Sequence, residues 1–307
     1  MRPWLAPAAV ALALAVAGCG LGAGRATSDV SLLVTGDFGS RQIGQVTERH
    51  VPGSETVLRL LERHLRVGTR YGGGFVESIA GHSGTGARRD WFFYVNGIQA
   101  PKGAAATYVH QGDHIWWDLH DWSATNSIPA VVGAFPEPFT TGLGGRRLPT
   151  ILDCAPDVAG ACSTVGGALV KAGVPYADQT IGGAAGSDSL AIVVGTWRDL
   201  KGVIATQLIE GGPSQSGVYA QMVGPSGQAI ELDNPQGQVV RTLRGDAGLI
   251  AATEQPSFNQ PTWLITGTDP AGVDAAAAAL TPSRLRGHFA LAIAPGQDIP
   301  LPVEPSR

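Results

Sequence analysis

Two stretches of the chain alternate aromatic and polar side chains: Trp91-Phe92-Phe93-Tyr94-Val95 and Ile115-Trp116-Trp117-Asp118-Leu119-His120. Successive side chains of a strand point to opposite faces. Ile115, Trp117 and Leu119 therefore share one face, and Trp116, Asp118 and His120 the other. Trp91, Phe93 and Val95 likewise oppose Phe92 and Tyr94. The second face collects Phe92, Tyr94, Trp116, Asp118 and His120, aromatic planes with polar handles, a composition suited to a flat amphipathic ligand. The same face can instead pack against the rest of the chain as an interface, and both uses are compatible if a ligand is clamped between domains.

Catalytic patterns are weak beside this. Gly81-His82-Ser83-Gly84-Thr85 has threonine where a nucleophile elbow has glycine. No HExxH occurs, and His110 and His114 fall where the chain is extended or turning, so helical spacing cannot bring them to one metal. Asp118, His120 and Asp121 lie on a strand, where structure comes before metal binding. Gly195-Thr196 and Gly267-Thr268-Asp269 end strands and open helices, so their amides can hold an anion or simply make tight turns. Gly182-Gly183-Ala184-Ala185-Gly186 lacks the lysine of a phosphate loop. We read the chain as a binder rather than an enzyme, with no required cofactor.

The elements that position the aromatic face follow from local signals. Ser31–Val34 and Ile43–Val51 read as strands around a turn at Gly36–Ser40. Ser54 is placed to cap a helix in which Val57, Leu58, Leu61 and Leu65 form one apolar stripe ending near Gly68. Strands Phe75–Ile79 and Trp91–Val95 follow, then the Asn96-Gly97 turn, then Ile115–Leu119 entered through Gly112-Asp113. Strand, strand, helix and further strands is the order of an α+β β-grasp domain over residues 29–122.

Gly72-Gly73-Gly74-Phe75-Val76-Glu77-Ser78-Ile79, Trp91-Phe92-Phe93-Tyr94-Val95-Asn96-Gly97 and Gly112-Asp113-His114-Ile115-Trp116-Trp117, in that order, resemble the transcobalamin-like C-terminal domain family. The resemblance covers the first domain only. It implies a small β-grasp domain that, in vertebrate members, forms one side of a cobalamin site. A separate helical domain supplies the other wall in transcobalamins, and this sequence has no counterpart of it. A corrinoid needs apolar cover for its faces, and a histidine can replace its upper cobalt ligand. His110, His114 and His120 are the candidates.

Residues 123–128 read as a linker, 129–300 as an α/β domain with a mixed sheet, and 301–307 as a tail. Ala130–Phe135, Leu148–Leu152, Leu190–Gly195, Thr262–Asp269 and Phe289–Ile293 are expected strands. Gly166–Lys171, Arg198–Glu210 and Pro270–Leu280 are expected helices, with short strands at Val218–Val223, Ala229–Leu232 and Val239–Leu243 between. Cys154 and Cys162 are expected to form a disulfide that pins a local turn.

The N-terminal residues supply the address. Met1-Arg2 and the short apolar run Trp4–Val16 form a signal peptide over residues 1–18. Val16-Ala17-Gly18-Cys19 is a lipobox, so cleavage before Cys19 and lipid on its thiol are expected, with residues 19–28 as a tether. A net charge of -4 provides no footprint for nucleic acid. The expected function is a membrane-anchored extracytoplasmic lipoprotein that captures cobalamin or another corrinoid for a vitamin importer. The competing expectation is a cell-envelope module that contacts protein or polysaccharide.

Overall fold

The computed structural model describes residues 29–85, 87–182, 188–254 and 260–304. The signal peptide, Cys19 and the tether lie outside the described residues, as does Gly183–Gly186. The structure is of mixed α and β type, mostly strands in several sheets with few helices. None of the described helices is long and apolar enough to cross a membrane.

The first unit runs β1 (Val30–Gly36), β2 (Arg41–Glu48), α1 (Val57–His64), β3 (Val67–Arg70), β4 (Phe75–Ile79), β5 (His82–Ser83), β6 (Arg89–Val95), β7 (Ile98–Gln99) and β8 (His114–Asp121). Five strands form one sheet in the order β2-β1-β8-β6-β7, and β3-β4-β5 form a small separate sheet. β1 and β8 run parallel, whereas β6 and β8 are antiparallel and set Phe92 opposite Asp118 and Tyr94 opposite Trp116. The apolar stripe of α1 buries Val57, Leu60 and Leu61 against Ile115, Trp117, Leu119 and Trp91. Thr56, not Ser54, caps this helix, its hydroxyl accepting from the Arg59 amide. The alternation expected along β6 and β8 is observed, because one face is covered by α1 and the register is thereby fixed.

The second unit contains β9 (Thr150–Cys154), α2 (Ala159–Lys171), β10 (Tyr176–Thr180), β11 (Leu190–Thr196), α3 (Trp197–Leu200), α4 (Ile204–Glu210), α5 (Pro213–Ser216), β12 (Ala220–Val223), β13 (Ala229–Asp233), β14 (Val239–Arg244), β15 (Gly248–Glu254), β16 (Pro261–Gly267), α6 (Pro270–Ala279), α7 (Pro282–Leu285), β17 (Ala290–Ala294) and β18 (Gln297–Leu301). Its main sheet has the order β10-β9-β11-β16-β15-β17-β18, parallel among the first four strands and antiparallel beyond. β12, β13 and β14 make a separate antiparallel sheet. One face of the main sheet buries Leu152, Ile192, Val194, Trp263 and Ile265 against α2 and α6. Asp269 caps α6 by accepting from the Gly272 amide, with Pro270 at the first turn. Proline is tolerated there because that amide needs no helical partner.

Several expectations are corrected. Ala130–Phe135 is not a strand: Val132–Ala134 is a 3-10 turn, because the Val131 and Val132 amides are taken by Gly97 and Phe289 carbonyls rather than by a ladder. The helix expected over Arg198–Glu210 is broken into α3 and α4 around Gly202, and α2 begins seven residues before Gly166. Leu301, expected in the tail, is buried and ends β18. β10 and β15 are strands outside those expected. The Cys154–Cys162 disulfide is present and ties the end of β9 to the first turn of α2.

Candidate functional site

Phe92, Tyr94, Trp116, Asp118 and His120 do converge on one face, as the alternation requires. That face is closed except at Phe92, which is half-buried. Tyr94, Trp116 and Asp118 have no exposed surface and His120 has 2%. The cover comes from the second unit: Phe289 meets Tyr94, Trp116 and His120 edge to face, with ring centroids 5.6, 5.1 and 5.4 Å apart. Tyr219 packs on Phe38, and one apolar core runs from Trp116 through Phe289 into Leu249 and Leu264. Of the two uses the alternation leaves open for this face, the structure has the interface: it forms the seam between the units. The physical reason is that a sheet covered by a helix on one side has a second apolar face that must also leave water.

The seam has a polar centre. The Asp118 carboxylate accepts from the Thr35 hydroxyl at 2.5 Å, the Phe38 amide at 3.1 Å and the Gly39 amide at 2.9 Å. His120 Nδ1 lies 2.9 Å from the same carboxylate. The imidazole is stacked between Phe38 and Phe92, with centroids 4.6 and 4.5 Å away. Trp116 Nε1 donates to Thr35 Oγ1 at 2.7 Å, which completes the network. A carboxylate beside an imidazole is the arrangement of a general-base pair, but here its bonds hold the β1–β2 turn onto the sheet. The Tyr94 hydroxyl has no partner, and burial, then the nearby Asp118 charge, raises its pKa well above the phenol range.

Thr35, Phe38, Tyr219 and Phe289 were absent from the expected site. Phe38 carried a faint signal, an aromatic residue inside a turn otherwise made of polar residues and glycine. Phe289 and Tyr219 are remote in sequence and carried none.

Of the other histidines, His110 turns its buried Nδ1 toward the fully buried Asp113 carboxylate at 3.5 Å, the rest of the ring being partly exposed. His114 faces a groove of about 390 Å³ at the margin of the seam, between Leu33, Gln42 and Gln45 on one side and Glu137 and Arg286 on the other. His114 Nδ1 is buried without a partner. Burial lowers its pKa, opposed by a contact with its own backbone and aided by the Arg286 charge, which favours the neutral ring. Glu137 is already engaged, accepting from the Thr141 amide at 2.8 Å and hydroxyl at 2.6 Å. Among the described residues no three His, Cys, Asp or Glu side chains are grouped to hold a metal ion.

A second buried carboxylate makes the structure sensitive to pH. Asp233 is 1% exposed and its Oδ2 has no partner. Burial and then the Glu231 charge push its pKa up to about 6. The unfolded value is about 3.9, so the unfolded chain ionises first. Stability is then lost as pH rises through the window from about 4 to about 6 and changes no further above it. Asp233→Asn is expected to remove this slope, as read from urea unfolding of both proteins across that window. Parallel pH profiles would contradict it.

Comparison with known proteins places residues 54–121, from just before α1 to the end of β8, as similar to a domain of unknown function (DUF4430). No curated protein matches the chain. A solved structure from Ruminococcus gnavus ATCC 29149, described as a "putative metal binding protein", is 15% identical and covers 31% of this chain and 97% of its own, with a TM-score of 0.26. The matched family segment holds β6 and β8, and so the five residues of the closed aromatic face.

Proposed function

We propose that this chain is an extracytoplasmic binding protein held at the membrane by lipid on Cys19, with a β-grasp first domain of the transcobalamin-like kind. Its solute is taken in the groove at the margin of the seam, and an importer in the membrane is the receiver. The observation that carries this reading is the groove itself: about 390 Å³ between two units, with an unpartnered imidazole nitrogen of His114 and the exposed Arg286 on its walls. A neutral ring and a guanidinium suit a small molecule with a carboxylate or phosphate group.

Capture of cobalamin or another corrinoid on Phe92, Tyr94, Trp116, Asp118 and His120 requires the two units to part, since Phe289 occupies the space a macrocycle would need. Calorimetric titration with inorganic phosphate and with cyanocobalamin separates the two sites. Phosphate is expected to bind in the millimolar range and about tenfold more weakly in Arg286→Gln. No heat from phosphate would sink the groove reading, and cyanocobalamin binding at tens of micromolar would move the ligand to the seam.

A second reading, an envelope module that contacts protein or polysaccharide, is favoured by Tyr71, Phe75 and Tyr108, which are 87%, 39% and 58% exposed. Loop 71–75 approaches Leu58 and Gly103, and Tyr108 bridges to Thr56, so all three surround the start of α1. Aromatic side chains left in water at one end of a domain are a contact surface in waiting. Loss of cell-wall retention in a triple alanine variant, with phosphate binding intact, would decide for it.

A further inference from the structure

The second unit contains a carboxylate that the seam and its groove do not use. Asp153 lies on β9 opposite Gln179 of β10 and Val193 of β11. It shares the sheet face of Val193, whereas its neighbour Leu152 packs toward α2 and α6. Asp153 is 6% exposed, and its Oδ1 is buried without a hydrogen-bond partner. Burial raises its pKa, and no charged neighbour contributes to the shift. The side chain lines a cavity of about 360 Å³ whose other walls include Ile181, Val193, Val203, Ile204 and Thr262. Ile204 is left 46% exposed beside it.

We propose that this cavity binds a primary ammonium group carried on a short apolar chain. A buried charge without a partner is costly, and a lone carboxylate among apolar walls exerts a strong field on a cation that reaches it. An ammonium supplies both the missing charge and the missing donor in one charge-assisted hydrogen bond. The isoleucine and valine walls accept the chain behind it. Small anions are repelled, and neutral alcohols gain only an ordinary hydrogen bond. Divalent cations need several oxygen ligands, and Asp153 belongs to no group of three candidate ligands among the described residues. The carboxylate must be ionised to bind, so affinity falls as pH drops through its raised pKa.

Calorimetric titration of the full chain with butylamine, with butanol and butyrate as controls and benzylamine as a second shape, tests this. An amine is expected to bind in the millimolar range, and butanol and butyrate at least about tenfold more weakly. Asp153→Asn is expected to lose the amine while raising Tm by about 2–4 °C, because it removes an unpaired buried charge. Ile204→Lys changes an exposed position, leaves Asp153 in place and supplies an ammonium of its own, so it is expected to block added amine. The proposal is overturned if neither amine binds at about 10 mM, if butanol binds as well as butylamine, or if both variants retain amine binding.

Discussion

Replacing Asp118 by alanine is expected to cost about 3–5 kcal/mol of stability. The carboxylate holds the Thr35 hydroxyl, the Phe38 amide and His120 Nδ1 in the buried layer between the units, and the half-buried Gly39 amide at its margin. Alanine leaves the Phe38 amide and His120 Nδ1 without this acceptor in a buried layer, while the Thr35 hydroxyl keeps only the longer bond to the Trp117 carbonyl at 3.3 Å. Asp118→Asn keeps one acceptor oxygen and is expected to lose less, about 1–2 kcal/mol. Equilibrium urea unfolding of the three proteins measures both figures. Equal stability of wild type and alanine variant would mean that water reaches the site and that the seam is open in solution.

Gly39→Ala is expected to separate the two units rather than unfold either one. A β-carbon there would lie 1.9 Å from the Gly287 carbonyl oxygen and 3.1 Å from Trp116 Cζ2, and the backbone φ of +84° already disfavours any side chain. Both clashing groups belong to packed segments, so the strain is relieved by opening the seam, at a cost of about 2–5 kcal/mol. The wild type shares one core between the units and should unfold in a single transition. The variant should show two, with tryptophan emission shifted to the red before the second. It also exposes Phe92, Tyr94 and Trp116, so cyanocobalamin binding in Gly39→Ala but not in wild type would show that the face recognises corrinoids only when uncovered. A single transition at the wild-type midpoint would show that the Gly39–Gly287 approach does not exist in solution.

Much of the first unit was legible in the sequence because its signals are local. The apolar positions of α1 repeat at helical spacing, and β6 and β8 alternate with period two. These patterns assigned each of Trp91, Phe92, Phe93, Tyr94, Trp116, Trp117, Asp118 and His120 to its observed face. The second unit was less legible. β11 and β16 are continuous apolar runs that announce buried strands, but β10, Tyr-Ala-Asp-Gln-Thr, is a polar edge strand with no such mark. Gly202 breaks what the apolar spacing alone would continue as one helix.

Alternation along the chain thus determined which residues share the aromatic face, since the side to which a strand residue points is set by its own backbone. The sequence left two uses of that face open, a ligand or an interface. The tertiary structure covers that face with Phe289, 169 positions beyond His120, and sets Tyr219, 99 positions beyond, beside it on Phe38. It likewise decided that Asp153 Oδ1 is left without a partner among the described residues and that His114 borders a groove, because isolation and concavity belong to no segment. A strand specifies its faces, but what covers a face depends on which distant apolar surface also has to leave water.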